Sequence, residues 1–145
     1  MESILFILLI GLAGGIAVGL QSPMASILTQ RLGMFESVFI VHVGGALAAL
    51  IPLLAYGGGK LGQWRSAPTY ALFAGIFGLV VISAISYMIP RIGVAGSIIT
   101  IVSGQLLVGT LLDHFGWLGA DVRPLDATRI VGLVIVIIGV WLTVK

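Results

Sequence analysis

Only twelve of the 145 residues carry a formal charge, and the gaps between them can be measured against a bilayer. A hydrocarbon core about 30 Å thick is crossed by roughly 20 helical residues rising 1.5 Å each. Charge-free stretches run from Ser3 to Gln30, Ser37 to Gly59, Ser66 to Pro90, Ile92 to Leu112 and Ile130 to Val144. Four are long enough as they stand, and the fifth can begin near Ala127 if Arg129 carries its guanidinium back to the headgroups. The expectation is an all-α membrane protein of five transmembrane helices, with cores near 4–29, 38–57, 68–89, 93–116 and 127–144. The chain reads as a single domain over residues 1–145, without an internal repeat.

Composition closes the other routes. A soluble domain is about one quarter charged, whereas this chain is 8% charged and 59% apolar, with a mean hydropathy of +1.24. Seven basic residues are too sparse for a nucleic-acid surface. Without cysteine there is no thiolate metal site, thiol catalysis or disulfide. A membrane barrel would alternate polar and apolar residues, and runs such as Val134 to Ile138 do not. The connections carry helix-ending signals at Arg31 to Glu36, Gly57-Gly58-Gly59-Lys60, Arg65 to Pro68, Pro90-Arg91-Ile92-Gly93 and Gly119 to Asp126. Tyr56, Trp64, Tyr70 and Trp117 fall at one interface on this plan, and Phe35, Tyr87 and Trp141 at the other. Glu2 replaces the positive start of a secretion signal, so the first apolar run reads as a span. The Gly57 to Lys60 run lacks the spacing and hydroxyl of a phosphate loop and reads as a helix-ending hinge.

Five spans put the termini on opposite sides of the membrane. Lys60, Arg65, Arg123 and Arg129 then share the N-terminal side, against Arg31, Arg91 and Lys145 on the other. Such near balance gives little instruction about orientation. Either the first helix or a partner decides it, or the chain inserts both ways and pairs antiparallel with itself. Many transporter folds are inverted repeats about an axis in the membrane plane, and a five-span chain supplies half of a ten-helix fold of that kind. Gly11, Gly15 and Gly19 form a small-residue ridge on helix 1, and Gly93, Ser97, Thr100 and Gly104 share a face of helix 4. These ridges serve packing within one chain or between copies.

Polar atoms in lipid are costly and face protein or a wet cavity, so their depth carries information. Gln21, Ser22, His42, Ser83, Ser86, Ser97, Thr100 and Ser103 fall in the half of their spans away from the N-terminal side, and Gln105 lies near mid-depth. Gln105, Gln21, Ser97 and Thr100 are candidate substrate-binding groups, although Gln105 serves equally as interhelical glue. His42 is a candidate coupling group, being able to change charge near neutral pH, or else a histidine bonded between helices. Pro23 removes a helix N–H and Gly104 permits close approach, so both are candidate hinge positions. Glu36 and Asp113 sit at helix ends, where a solvated carboxylate has no required role, and no carboxylate lies at mid-depth. Asp113-His114 is the only adjacent acid–base pair, but helix neighbours point about 100° apart and no nucleophile accompanies them. Two histidines on different helices do not make a zinc site. An enzyme is not expected, and neither a cofactor nor a metal.

The stretch Gly104-Gln105-Leu106-Leu107-Val108-Gly109-Thr110-Leu111-Leu112-Asp113-His114-Phe115-Gly116 resembles the signature of the YdcZ-type inner-membrane exporters, which are related to the drug/metabolite transporter superfamily. The likeness extends to Gly19-Leu20-Gln21, to the Pro90-Arg91-Ile92-Gly93 corner, and to Pro124-Leu125 through Arg129 into a helix with Gly132 and Gly139. The resemblance implies a bacterial inner membrane, paired or dual-topology halves, and export of small metabolites or drugs. The resulting expectation is an exporter that works by alternating access as an antiparallel homodimer. Its partners are the lipid bilayer and a small-molecule substrate, with no nucleic acid. A dimeric channel and a non-transporting membrane subunit that docks a partner are the alternatives.

Overall fold

Ser3 opens the first helix from an extended backbone, its hydroxyl accepting from the Phe6 N–H at 3.3 Å. A computed structural model describes residues 3–145; Met1 and Glu2, and with them the reading of Glu2, lie outside the described residues. Four long helices follow: α1 (Ile4–Leu32), α2 (Met34–Ala55), α3 (Ala74–Phe115) and α4 (Ala127–Val144). Short 3-10 turns occupy Leu61–Ser66, Thr69–Phe73 and Trp117–Gly119, and there is no strand among the described residues. Each long helix is apolar enough to cross a bilayer. The structure forms two compact units, Met1–Tyr87 and Met88–Lys145, and α3 contributes to both.

In the first unit α1 continues through Pro23 to Leu32, and a single residue, Gly33, turns the chain into α2. Its φ of 116° is one that a side chain resists, and a Cβ there would run into the Glu36 carboxylate. Glu36 thereby sits in the first turn of α2, where the exposed N–H groups favour a negative charge. The second helix starts four residues earlier than the sequence suggests, because this joint needs only one residue rather than a loop. At its far end α2 stops at Ala55, and Gly58 N–H closes the turn by donating to the Leu53 carbonyl at 2.8 Å.

The buried residues of this unit are small: Ser22, Ala25, Ser26, Ser37 and Ser86, with Ile82 and Ile85 the larger members. Without a hydrophobic drive between helices in lipid, close backbone approach and hydrogen bonds hold them together. Ser37 is fully buried and its hydroxyl donates to the Ala25 carbonyl at 2.9 Å, tying α2 to α1. Thr29 donates to Ser86 at 3.0 Å, tying α1 to residues 74–87 of α3. Large apolar side chains such as Ile4, Leu20, Phe39 and Phe77 point outward instead, as suits a chain whose solvent is acyl tails.

The second unit begins at a break. A straight helix of 42 residues would measure about 63 Å, twice the hydrocarbon thickness. Gly93 interrupts α3 with φ 75° and ψ 173°, three residues after Pro90. Residues 94–115 resume the helix, with Ser97 donating to the Gly93 carbonyl at 2.7 Å. The sequence expects two helices, 68–89 and 93–116, and the structure breaks the run at Gly93, with no loop between the two helical parts; the first part begins at Ala74, after the 3-10 turn Thr69–Phe73. α4 packs against the resumed part, with a Val144 methyl 3.4 Å from where a Gly96 Cβ would stand.

Candidate functional site

Clefts that carry polar groups occur in both units. In the first, α1 supplies Gln21, α2 supplies Val41, His42 and Gly45, and α3 supplies Gly78 and Ile82 around a space of ≈ 360 Å³. The His42 ring lies against Gly78, its Nε2 and Cε1 filling the room a side chain would take. Its Nδ1 stands 2.8 Å from the Val38 carbonyl, which can only accept, so Nδ1 carries the proton. Nε2 is left as an acceptor in the neutral ring and becomes a donor when the ring is charged. The helix thus fixes the tautomer, and Gly78 provides the seat.

In the second unit Val102, Gln105, Leu106, Gly109, Thr110 and Asp113 line a cleft of ≈ 320 Å³ along α3. Gln105, Gly109 and Asp113 recur every fourth residue and so share one stripe, running about 12 Å from end to middle. The Thr110 hydroxyl donates to the Leu106 carbonyl at 2.7 Å, so its free lone pairs face outward as acceptors. A third, mostly apolar groove of ≈ 640 Å³ includes Thr100, Ser103, Ile137, Trp141 and Lys145. The Lys145 ammonium lies 4.9 Å from the centre of the Trp141 ring.

The structure therefore brings Gln21 and His42 together. Within the second unit it places Gln105 and Thr100 on different clefts. Thr100 donates to the Gly96 carbonyl at 2.7 Å, and Ser97 is buried with its proton committed to Gly93. Among the described residues no heavy atom beyond its own helix backbone lies within 4 Å of the missing Cβ of Gly104, so the structure shows no close approach there. At Pro23, the neighbouring Ser22 hydroxyl donates to the Val18 carbonyl at 2.7 Å.

Residues Asp113 to Gly116 do something that sequence reasoning missed. The Asp113 backbone carbonyl accepts from Arg123 N–H at 2.7 Å, and His114 Nδ1 accepts from Leu125 N–H at 3.1 Å. Arg129 reaches the Asp113 carboxylate at 3.6 Å and donates to the Arg123 carbonyl at 3.1 Å. Asp126 caps α4 through the Arg129 N–H at 2.8 Å. Together these bonds fasten the 116–126 segment to the end of α3. The signal was the clustering of Asp113, Arg123, Asp126 and Arg129 at one end of two consecutive helices. Acid and base diverge here, Asp113 facing Arg129 and His114 facing Leu125. Among the described residues no three His, Asp or Glu side chains gather as a metal site.

No curated protein and no solved structure matches the chain. A family model does, and the family it describes is one of exporters and not an enzyme class. With several apolar helices long enough to cross a bilayer, this is a multi-pass inner-membrane protein. Residues 6–142 match the model described as DMT_YdcZ, putative inner membrane exporter, YdcZ, and the chain belongs to that family.

Proposed function

We propose that the chain is one half of a small-solute exporter that works as an antiparallel pair of copies by alternating access. Each copy contributes five spans, the break at Gly93 dividing α3 into two crossings. The observation that carries this reading is the exposure of Gln21, His42 and Gln105 on a chain surrounded by lipid. Polar groups turned toward acyl chains are costly, so a second protein surface and a water-filled path cover them. The glycine ridge of α1 agrees, because among the described residues nothing beyond the helix's own backbone comes within 4 Å of the missing Cβ atoms of Gly11, Gly15 and Gly19. Gln21 and Gln105 bind solute, Ser97 and Thr100 shape the wall by keeping their protons on the backbone, and Pro23 and Gly104 flex. His42 exchanges a proton through Nε2 and couples solute movement to the pH gradient. Among the described residues no Asp, Glu, Lys or Arg lines its cleft, and the Gln21 amide is the polar side chain beside it.

The chain has no cysteine, so a single one placed as Gly58→Cys reports topology directly. About half of the molecules in intact cells are expected to react with an impermeant thiol reagent, following from the near-balanced basic residues. Labelling of all molecules, or of none, sinks the antiparallel pair.

A further inference from the structure

The cleft on α3 has a chemical bias that the exporter reading leaves open. Its polar groups are the Asp113 carboxylate, the Thr110 oxygen with its proton already given to Leu106, and the Gln105 amide. Among the described residues no cationic side chain lines it. The carboxylate has room for several donors, yet the cation nearest to it, Arg129, stands off at 3.6 Å, beyond the 2.7–2.9 Å of a charge-assisted hydrogen bond. The same Arg129 nitrogen is hydrogen-bonded to the Arg123 carbonyl. Arg129 thus offsets the charge of Asp113 without filling its acceptor sites. Both side chains are more than a third exposed or close to it, at 34% and 41%, so the pair is weak and exchangeable.

We infer that this cleft binds an organic cation bearing N–H donors, with its charged head on the Asp113 carboxylate in place of Arg129 and its body lying over Gly109 toward Gln105. The proposal rests on the exporter reading and names its substrate class. Gly109 makes the floor flat, since no atom stands within 4 Å of its missing Cβ. The mouth lies at the end of α3, and Gln105 offers a second hydrogen-bonding station about 12 Å deeper. A quaternary ammonium has no N–H to give the carboxylate, and an anion meets repulsion from Asp113 with only the Gln105 amide to donate to it.

Calorimetric titration of the purified full chain in detergent tests this with three probes: agmatine, a cation rich in N–H donors; choline, a cation without them on nitrogen; and 4-hydroxybutanamide, a neutral donor. Agmatine is expected to bind saturably, and the other two to bind at least about ten-fold more weakly, as loss of a charge-assisted bond implies. Asp113→Asn weakens agmatine by about ten-fold or more. The variant keeps the backbone bond from Arg123 N–H to the Asp113 carbonyl, so the segment stays fastened. Arg129→Gln tightens agmatine by removing the competing charge, and Gln105→Leu weakens it. Equal binding of the neutral probe or choline, unchanged affinity in Asp113→Asn, or no saturable agmatine binding each overturns the cation assignment. In that event, solute movement by the same preparation in vesicles leaves the exporter reading standing. Vesicles that move no solute at all count against the exporter reading itself.

Discussion

Gly78 and His42 are a pair that neither residue announces alone. The histidine was recognisable from its depth and its ability to change charge. Its seat was not, because a glycine on a distant helix carries no mark of what fills its missing side chain. Gly78→Ala puts a methyl where the imidazole lies, and the imidazole, the free end of a side chain, is what yields. The expected outcome is a folded protein with its melting temperature nearly unchanged, whose pH-gradient-driven transport in vesicles falls to that of His42→Gln. Transport at the original rate in Gly78→Ala removes the seat from the mechanism. Ser37 shows the same limit of sequence reading. Nothing in its neighbourhood distinguishes it from other serines, yet it is the one whose hydroxyl bridges α2 to α1 while fully buried.

Helix positions were readable because charges and apolar runs are one-dimensional information. The ends of α1 and α4 fall within a few residues of expectation for that reason. The start of α2 and the loop-free form of the α3 corner differ because they depend on backbone dihedrals, which hydropathy does not report. At Gly93 a Pro–Gly corner was readable, and the structure adds its form, one glycine at φ 75° joining two helical stretches without a loop. Open space surrounds its missing Cβ, so the cost of Gly93→Ala is a backbone cost alone. It amounts to about 1–3 kcal/mol, the penalty of holding a residue with a side chain at positive φ and extended ψ, a region essentially open only to glycine. Unfolding of the purified variant in detergent is expected to show that loss, and an unchanged unfolding midpoint indicates that the corner relaxes into another conformation. Residues 116–126 were legible only as a loop. That they clasp the end of α3 depends on which backbone N–H groups meet Asp113 and His114, and spacing does not encode this.

At the level of the whole molecule, sequence identified a multi-pass membrane protein of an exporter family, and the family match bears this out over residues 6–142. The candidate polar residues were found by depth, but their distribution among separate clefts was not, since depth locates a residue along the membrane normal and says nothing of the azimuth around the helix. The glycines of α1 bear on assembly. If the ridge meets another copy, Gly15→Ala leaves the protomer intact, because among the described residues no heavy atom beyond the helix's own backbone stands within 4 Å of the added Cβ, and it pushes apart the helices that pair there. Chemical cross-linking in native membranes is expected to lose the dimer band while the monomer amount stays constant. A dimer band of full strength means that copies meet through some other face.

The serine-built contacts of the first unit have a thermodynamic corollary. Prising apart helices that touch through Ser22, Ser26, Ser37 and Ser86 uncovers hydroxyls, backbone and, of the large apolar side chains, chiefly Ile82 and Ile85, while most of the others already face acyl tails and stay there. Such a separation hydrates little new apolar area, and it is the hydration of that area that makes unfolding heat capacities large and denaturant slopes steep. This protein should therefore lose its helix contacts along a gently curved stability profile, and the choice of surrounding lipid should matter to it more than temperature does.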